Sequence, residues 1–290
     1  MLSQVIKGYL YKYSHLTLFK MGFFILVVVS LFFTYQNIQV INALHTGAAN
    51  SVNIDPNVIE TPYRTVRDAI LSSPYQATVL FLPILSALIL ATDYQFGEDE
   101  FSSLICANWK IRLFSQIFSI IVISIMTTFT LFLLNALLLK FMLVSKLQSI
   151  LSIGLMLDVI TRLGAFTITL NLLSLLLVIT KRSIPSLIVI VLLLVFSLSG
   201  ILKAISPILD NLLPLIGAKS FAFGRVEAGQ TTQLYGAILL LFETFLTTIC
   251  LFYLEKIKWG KKNEKNISSM AYHFDDCYTY RYNLRVYEFP

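Results

Sequence analysis

Carboxylates crowd one place in this chain. Asp93, Glu98, Asp99 and Glu100 stand within eight residues, and Lys110 and Arg112 follow them. Phe101, Leu104, Ile105, Asn108, Trp109 and Arg112 recur at three- and four-residue spacing, the period of one face of a helix. The acids then occupy the N-terminal end of a short amphipathic helix and the bases its C-terminal end, where the helix dipole favours each. Such a helix is suited to docking: its apolar face fills a groove while its acids meet a basic rim. An ordinary charged connector is the other reading of these residues.

Glu243 is the next group with chemical potential, because it stands near the middle of the apolar run 233–254. A carboxylate at membrane depth costs a few kcal/mol on insertion scales, so it must face protein or a wet cavity. It serves either a translocation path or a packing hydrogen bond. Asp158 and Arg162 are four apart and can share a helix face as an ion pair near a membrane boundary. Hydrolytic chemistry finds no footing. His15, His45 and His273 lie in separate segments without zinc spacing, and no G-x-x-x-x-G-K-[ST] phosphate loop occurs. Cys106, Cys250 and Cys277 form neither a metal pair nor a disulfide framework. No catalytic site, metal or cofactor is expected on this chain.

The elements that must position these groups follow from composition. Of 290 residues 57% are apolar and 13% charged, with a mean hydropathy of +0.77. A soluble domain carries about 25% charge, so a water-facing surface cannot be built from this chain. The expected class is an all-α polytopic membrane protein. At roughly 20 residues per crossing, six spans are expected at 17–36, 74–92, 113–138, 159–180, 183–202 and 233–254, within one domain of residues 17–258. Residues 1–16 read as an interfacial arm, with Lys7 and Lys12 among Tyr9, Tyr11 and Tyr13. Residues 259–290 read as a tail. A short surface helix is expected around 63–71, ahead of the second span. Ser119, Ser124, Thr127, Thr128, Thr130, Asn135, Thr167, Thr169 and Asn171 suit bundle packing as well as a path.

The formal net charge of +6 reads as positive charge held on the cytoplasmic side rather than as nucleic-acid affinity. Lys7, Lys12, Lys20, Lys110, Arg112, Lys181, Arg182 and the lysines from Lys256 to Lys265 crowd short flanks when both termini are cytoplasmic, whereas the remaining bases of the membrane domain spread over long outer segments. A multi-pass plasma-membrane protein with both termini inside is expected.

The stretch from Asp93 resembles the membrane permease subunit of ABC-2 type transporters. In that family an acid ends the second span, a glycine follows four positions later, and a short hydrophobic helix and a basic turn lead to the third span. Here these are Asp93, Gly97, the helix 101–106, the turn region 107–109, and the bases Lys110 and Arg112. Glu98 stands where the family prefers threonine or serine, and Asn108 near a common proline. The resemblance implies a six-span permease with a coupling helix between spans two and three. Asp93, Gly97, Glu98, Asp99, Glu100, Phe101, Leu104, Ile105, Lys110 and Arg112 would then form the contact with a cytoplasmic ATPase. It further implies a second copy of the chain or a homologous permease, with ATP and Mg bound on the ATPase, and export of a hydrophobic peptide, drug or lipid-like substrate. A non-transporting sensor or scaffold, for which residues 93–112 are only a connector, is the alternative.

Overall fold

The computed structural model describes residues 2–47, 62–95, 106, 108–181, 188–189, 192, 219–223 and 232–286. Among these residues every element is helical: α1 (Leu2–His15), α2 (Thr17–Thr46), α3 (Pro62–Gln95), α4 (Trp109–Met142), α5 (Ser145–Gln148), α6 (Ile153–Lys181), α7 (Lys219–Phe223) and α8 (Gln233–Val286).

Local chemistry sets several of the boundaries. Leu16 leaves the helical region at φ −60° and ψ 120°, bending the chain between α1 and α2. The bend is tight, because the Leu16 N–H still donates to the Lys12 carbonyl and the Lys20 N–H to the Leu16 carbonyl. Gly47 closes α2 at φ 73°, a left-handed conformation that only glycine adopts without a Cβ penalty, and its N–H donates to the Leu44 carbonyl. Asn108 opens α4. Its side-chain oxygen accepts from the N–H groups of Lys110 and Ile111, satisfying two donors that a helix start leaves without partners.

Four helices among the described residues are long and apolar enough to cross a membrane: Thr17–Thr46, Trp109–Met142, Ile153–Thr180 and Gln233–Gly260. All-helical among its described residues, the chain has the long apolar helices of a multi-pass membrane protein. This corrects the expectation of six spans. The apolar run 74–92 does not stand as its own element; it is the second half of α3, which begins at Pro62 and absorbs the expected surface helix at 63–71. The part of α3 with described side chains carries Arg67, Asp68, Ser72, Ser73 and Thr78 at buried or half-buried positions, polar groups suited to packing against protein. The run 183–202 lies outside the described residues apart from three isolated positions.

Side-chain pairings fix the directions. Ser30 and Thr34 of α2 meet Asn135 of α4, and Asn42 meets Met142 and Val144, so α2 and α4 run the same way. Asn37 meets Ser72 and Ser73, whereas Gly22 abuts Leu85, so α3 runs opposite to α2. Arg67 meets Asp158 and Tyr75 meets Phe166, making α6 parallel to α3. Arg162 meets Phe221, Ser220 meets Thr232, and Thr169 meets Thr244, so α8 follows α6. The bundle thus has two ends, one holding Arg112 and Trp259, the other Asp158 and Phe221.

Burial identifies the centre. The apolar window of α6 is 61% buried within the protein, against 17% for those of α2 and α8. Leu163, Phe166, Leu172, Leu175 and Val178 of α6 are fully enclosed or nearly so, and join Leu113, Ile117 and Ile120 of α4 and Leu240 and Leu251 of α8 in the main core. Phe24, Phe32, Leu241 and Phe245 remain exposed on α2 and α8, the outward apolar side chains of helices that face hydrocarbon.

Candidate functional site

The acid-rich segment enters the described structure at Cys106 and Asn108. Asn108 has an extended backbone, φ −81° and ψ 100°, which interrupts any helix running through it. A single helix continuous from Phe101 to Arg112, as the spacing suggests, is therefore broken at Asn108. Trp109, Lys110 and Arg112 belong instead to the first turn of α4. Cys106 is buried, its thiol 3.7 Å from the Asn108 carbonyl.

That first turn is fastened to α8. Arg112 is buried at 6% exposure, and its guanidinium carbon lies 5.4 Å from the Trp259 ring centroid. Trp109 meets Phe252 edge-on at 6.5 Å. One turn before Trp259, buried Glu255 stands 4.0 Å from the Lys258 ammonium. An arginine face held on an indole gains both stacking and cation attraction, and that gain grows when water is excluded. Lys110 stays exposed with its ammonium 5.9 Å from the Trp109 ring, available at the surface of this end. The two bases that the sequence groups together thus separate: Lys110 faces outward and Arg112 is an internal anchor. Asp93 lies in the last turn of α3. Gly97, Glu98, Asp99, Glu100, Phe101, Leu104 and Ile105 lie outside the described residues.

The opposite end holds an ionic cluster that sequence reasoning found only in part. Arg162 Nε donates to Asp158 Oδ1 at 2.7 Å, the expected pair four apart. Arg67 of α3 donates to Asp158 Oδ2 at 2.8 Å, so one carboxylate accepts from two guanidinium groups on two helices. Arg162 also donates to the Phe221 carbonyl at 3.0 Å and lies 5.0 Å from the Phe221 ring, adding α7 to the junction. Arg67 and Phe221 carry no sequence spacing that links them to Asp158. α6 begins at Ile153, which places Asp158 near the helix start, as its length requires.

Between the two ends, polar contacts run across the helix seams. Asn135 Nδ2 donates to Ser30 Oγ at 2.6 Å and to the Leu131 carbonyl at 2.7 Å, while Thr34 donates to Asn135 Oδ1. Asn171 donates to Ser124 at 2.7 Å, and Thr169 and Thr244 share a hydrogen bond of 2.7 Å. Ser119 and Thr167 donate to carbonyls one turn back. These side chains bond a neighbouring helix or the backbone of their own helix. Glu243 is half-buried on α8 beside Thr244. Among the described residues no group of three or more His, Cys, Asp or Glu side chains is placed to hold a metal ion.

The chain matches no family model and no curated protein.

Proposed function

We propose that the chain is the membrane subunit of an ATP-driven transporter, working with a separate cytoplasmic ATPase and a second permease to export a hydrophobic peptide, drug or lipid-like cargo. One observation carries the reading. The acid-rich segment leaves the end of α3 and enters α4 through a turn fastened to α8 by Arg112 on Trp259 and Trp109 on Phe252. A force delivered to Asn108 would therefore reach α4 and, through the packed side chains of Trp109 and Arg112, α8. A loose connector would absorb it.

The chemistry of the segment suits an ATPase groove. Phe101, Leu104 and Ile105 offer apolar contact, and Glu98, Asp99 and Glu100 complement a basic rim. ATP and Mg belong to the partner. Exposed Lys110 stands at the same end. Both termini are placed in the cytoplasm by this reading. In support, α2 starts and the apolar part of α8 finishes at the Arg112 end, beside the lysine-rich flanks at 7–20 and 256–265.

The test is co-purification with a cognate ATPase, at matched membrane levels. Reversing Glu98, Asp99 and Glu100 to lysine is expected to lower ATPase recovery, with the difference shrinking as salt rises. Unchanged recovery at low salt would remove the docking role and favour the sensor or scaffold reading.

A further inference from the structure

A groove of about 390 Å³ lies where α1, α2 and α4 meet, outside the features already described. Its volume falls within the ~300–1,000 Å³ usual for small-molecule clefts. Leu10 and Tyr11 form its α1 wall, Phe19 and Phe23 its α2 wall, and Ile123 and Met126 its α4 wall. Phe19 and Phe23 stack at 6.2 Å, which fixes one wall as a continuous aromatic surface. Two of the three walls belong to helices that are candidate membrane spans, and α2 leaves most of its apolar window uncovered. The groove therefore adjoins hydrocarbon.

Charge distinguishes this place from a generic lipid-facing crevice. Residues 1–54 contain no aspartate or glutamate, while Lys7, Lys12 and Lys20 all fall on α1 and the start of α2. Helical spacing places Lys7 one turn before Leu10 and Tyr11 on the same stripe of α1, and Lys20 one turn before Phe23 on α2. Both lysines are exposed. Tyr11, 66% exposed, stacks on His15 at 3.9 Å beside the groove, and aromatic rings of this kind settle at headgroup level. An apolar trough flanked by exposed Lys7 and Lys20, on a stretch of sequence that carries no acid, matches a molecule with a long hydrocarbon chain and an anionic head.

We infer that this groove binds one anionic phospholipid, with an acyl chain against Phe19, Phe23 and Met126 and the phosphate held by Lys7 and Lys20. The bound lipid packs α1 onto α2 and α4. The site is independent of the ATPase-docking role, and neither depends on the other being correct.

Native mass spectrometry of the full-length chain in detergent, titrated with phosphatidylglycerol or phosphatidylcholine, reads the occupancy directly. Wild type is expected to retain phosphatidylglycerol preferentially. K7Q/K20Q should weaken it roughly thirtyfold, at about fivefold for each lysine held at an anionic surface, and K7R/K20R should restore it. Ser14→Trp fills the groove from α1 and should lower retention of both lipids. Thr130→Trp does so from α4 should the first variant not fold by circular dichroism. Equal retention of the two lipids by wild type would overturn the inference. So would full phosphatidylglycerol binding by a folded groove-filling variant, which would place the lipid on the outer surface, or by K7Q/K20Q.

Discussion

The guanidinium of Arg112 lies over the indole of Trp259, 5.4 Å from the ring centroid, and joins the first turn of α4 to the cytoplasm-proposed end of the apolar part of α8. Arg112 is 6% exposed, so the contact is made away from water, where the attraction between a cation and a ring is strongest.

Breaking that contact should loosen both helices. Trp259→Leu is expected to cost about 0.5–2 kcal/mol, the range of cation–π contacts, while Trp259→Phe retains part of it. Arg112→Lys keeps the charge but loses the planar stack, and should fall between. Thermal unfolding of the purified protein, followed by tryptophan-independent circular dichroism, gives the order Phe, then Lys, then Leu.

Asp158 accepts from Arg67 and Arg162 at once, which sets it apart from a lone pair on one helix. The carboxylate is 37% exposed and the two arginines 20% and 18%. Removing it takes the shared carboxylate from two partly buried cations, so Asp158→Ala should cost about 1–2 kcal/mol, above the ~0.2–1 of exposed pairs and below the ~3–5 of fully buried ones. Arg67→Ala should cost less, because Arg162 keeps both Asp158 and the Phe221 carbonyl. A double-mutant cycle on Arg67 and Asp158 measures the coupling across α3 and α6.

Asn135 ties α4 to α2 through Ser30 and Thr34 inside the bundle. Asn135→Leu leaves both hydroxyls without that partner. Interhelical hydrogen bonds in membranes average about 0.6 kcal/mol and reach about 1.7, so two of them place the loss at about 1–2 kcal/mol. The readout is the midpoint of unfolding in detergent. Asn135→Ser, which still donates and accepts, should recover part of it.

Glu243 stands half-buried next to Thr244, whose hydroxyl bonds Thr169. An amide presents an acceptor like a carboxyl group, so Glu243→Gln should preserve folding and most transport. Glu243→Leu, which removes the polar contact of the carboxyl group, should lower the midpoint of unfolding in detergent further than Glu243→Gln. Loss of transport in normally inserted Glu243→Gln protein would instead make the charge part of the mechanism.

Helical character and apolar faces were legible in the sequence because hydropathy reports them residue by residue. The number of crossings was not, since a charge-free run such as 74–92 does not reveal that its helix starts at Pro62. The Asp158–Arg162 pair was visible in its spacing of four. Arg67 was hidden because contact across helices depends on how α3 is rotated about its axis, which no local pattern encodes. Asn108 carried a usable signal, a capping residue just ahead of a long apolar run. The three- and four-residue rhythm of Phe101, Leu104 and Ile105 runs through it to Trp109 and Arg112, whereas the family resemblance places a turn at 107–109. The burial of Arg112 had no sequence signature, because its partner Trp259 is near it only in the folded bundle.

Coupling is the most direct measurement of the proposed transporter role. Phe101→Ala combined with Leu104→Ala removes two apolar anchors of the docking segment, and truncating central anchors commonly costs over 1 kcal/mol each. With the ATPase co-reconstituted at matched levels, the double variant should insert normally yet lose ATPase recovery and uncouple hydrolysis from transport. Wild-type recovery together with wild-type coupling would contradict the role assigned to residues 93–112 and leave the segment a connector.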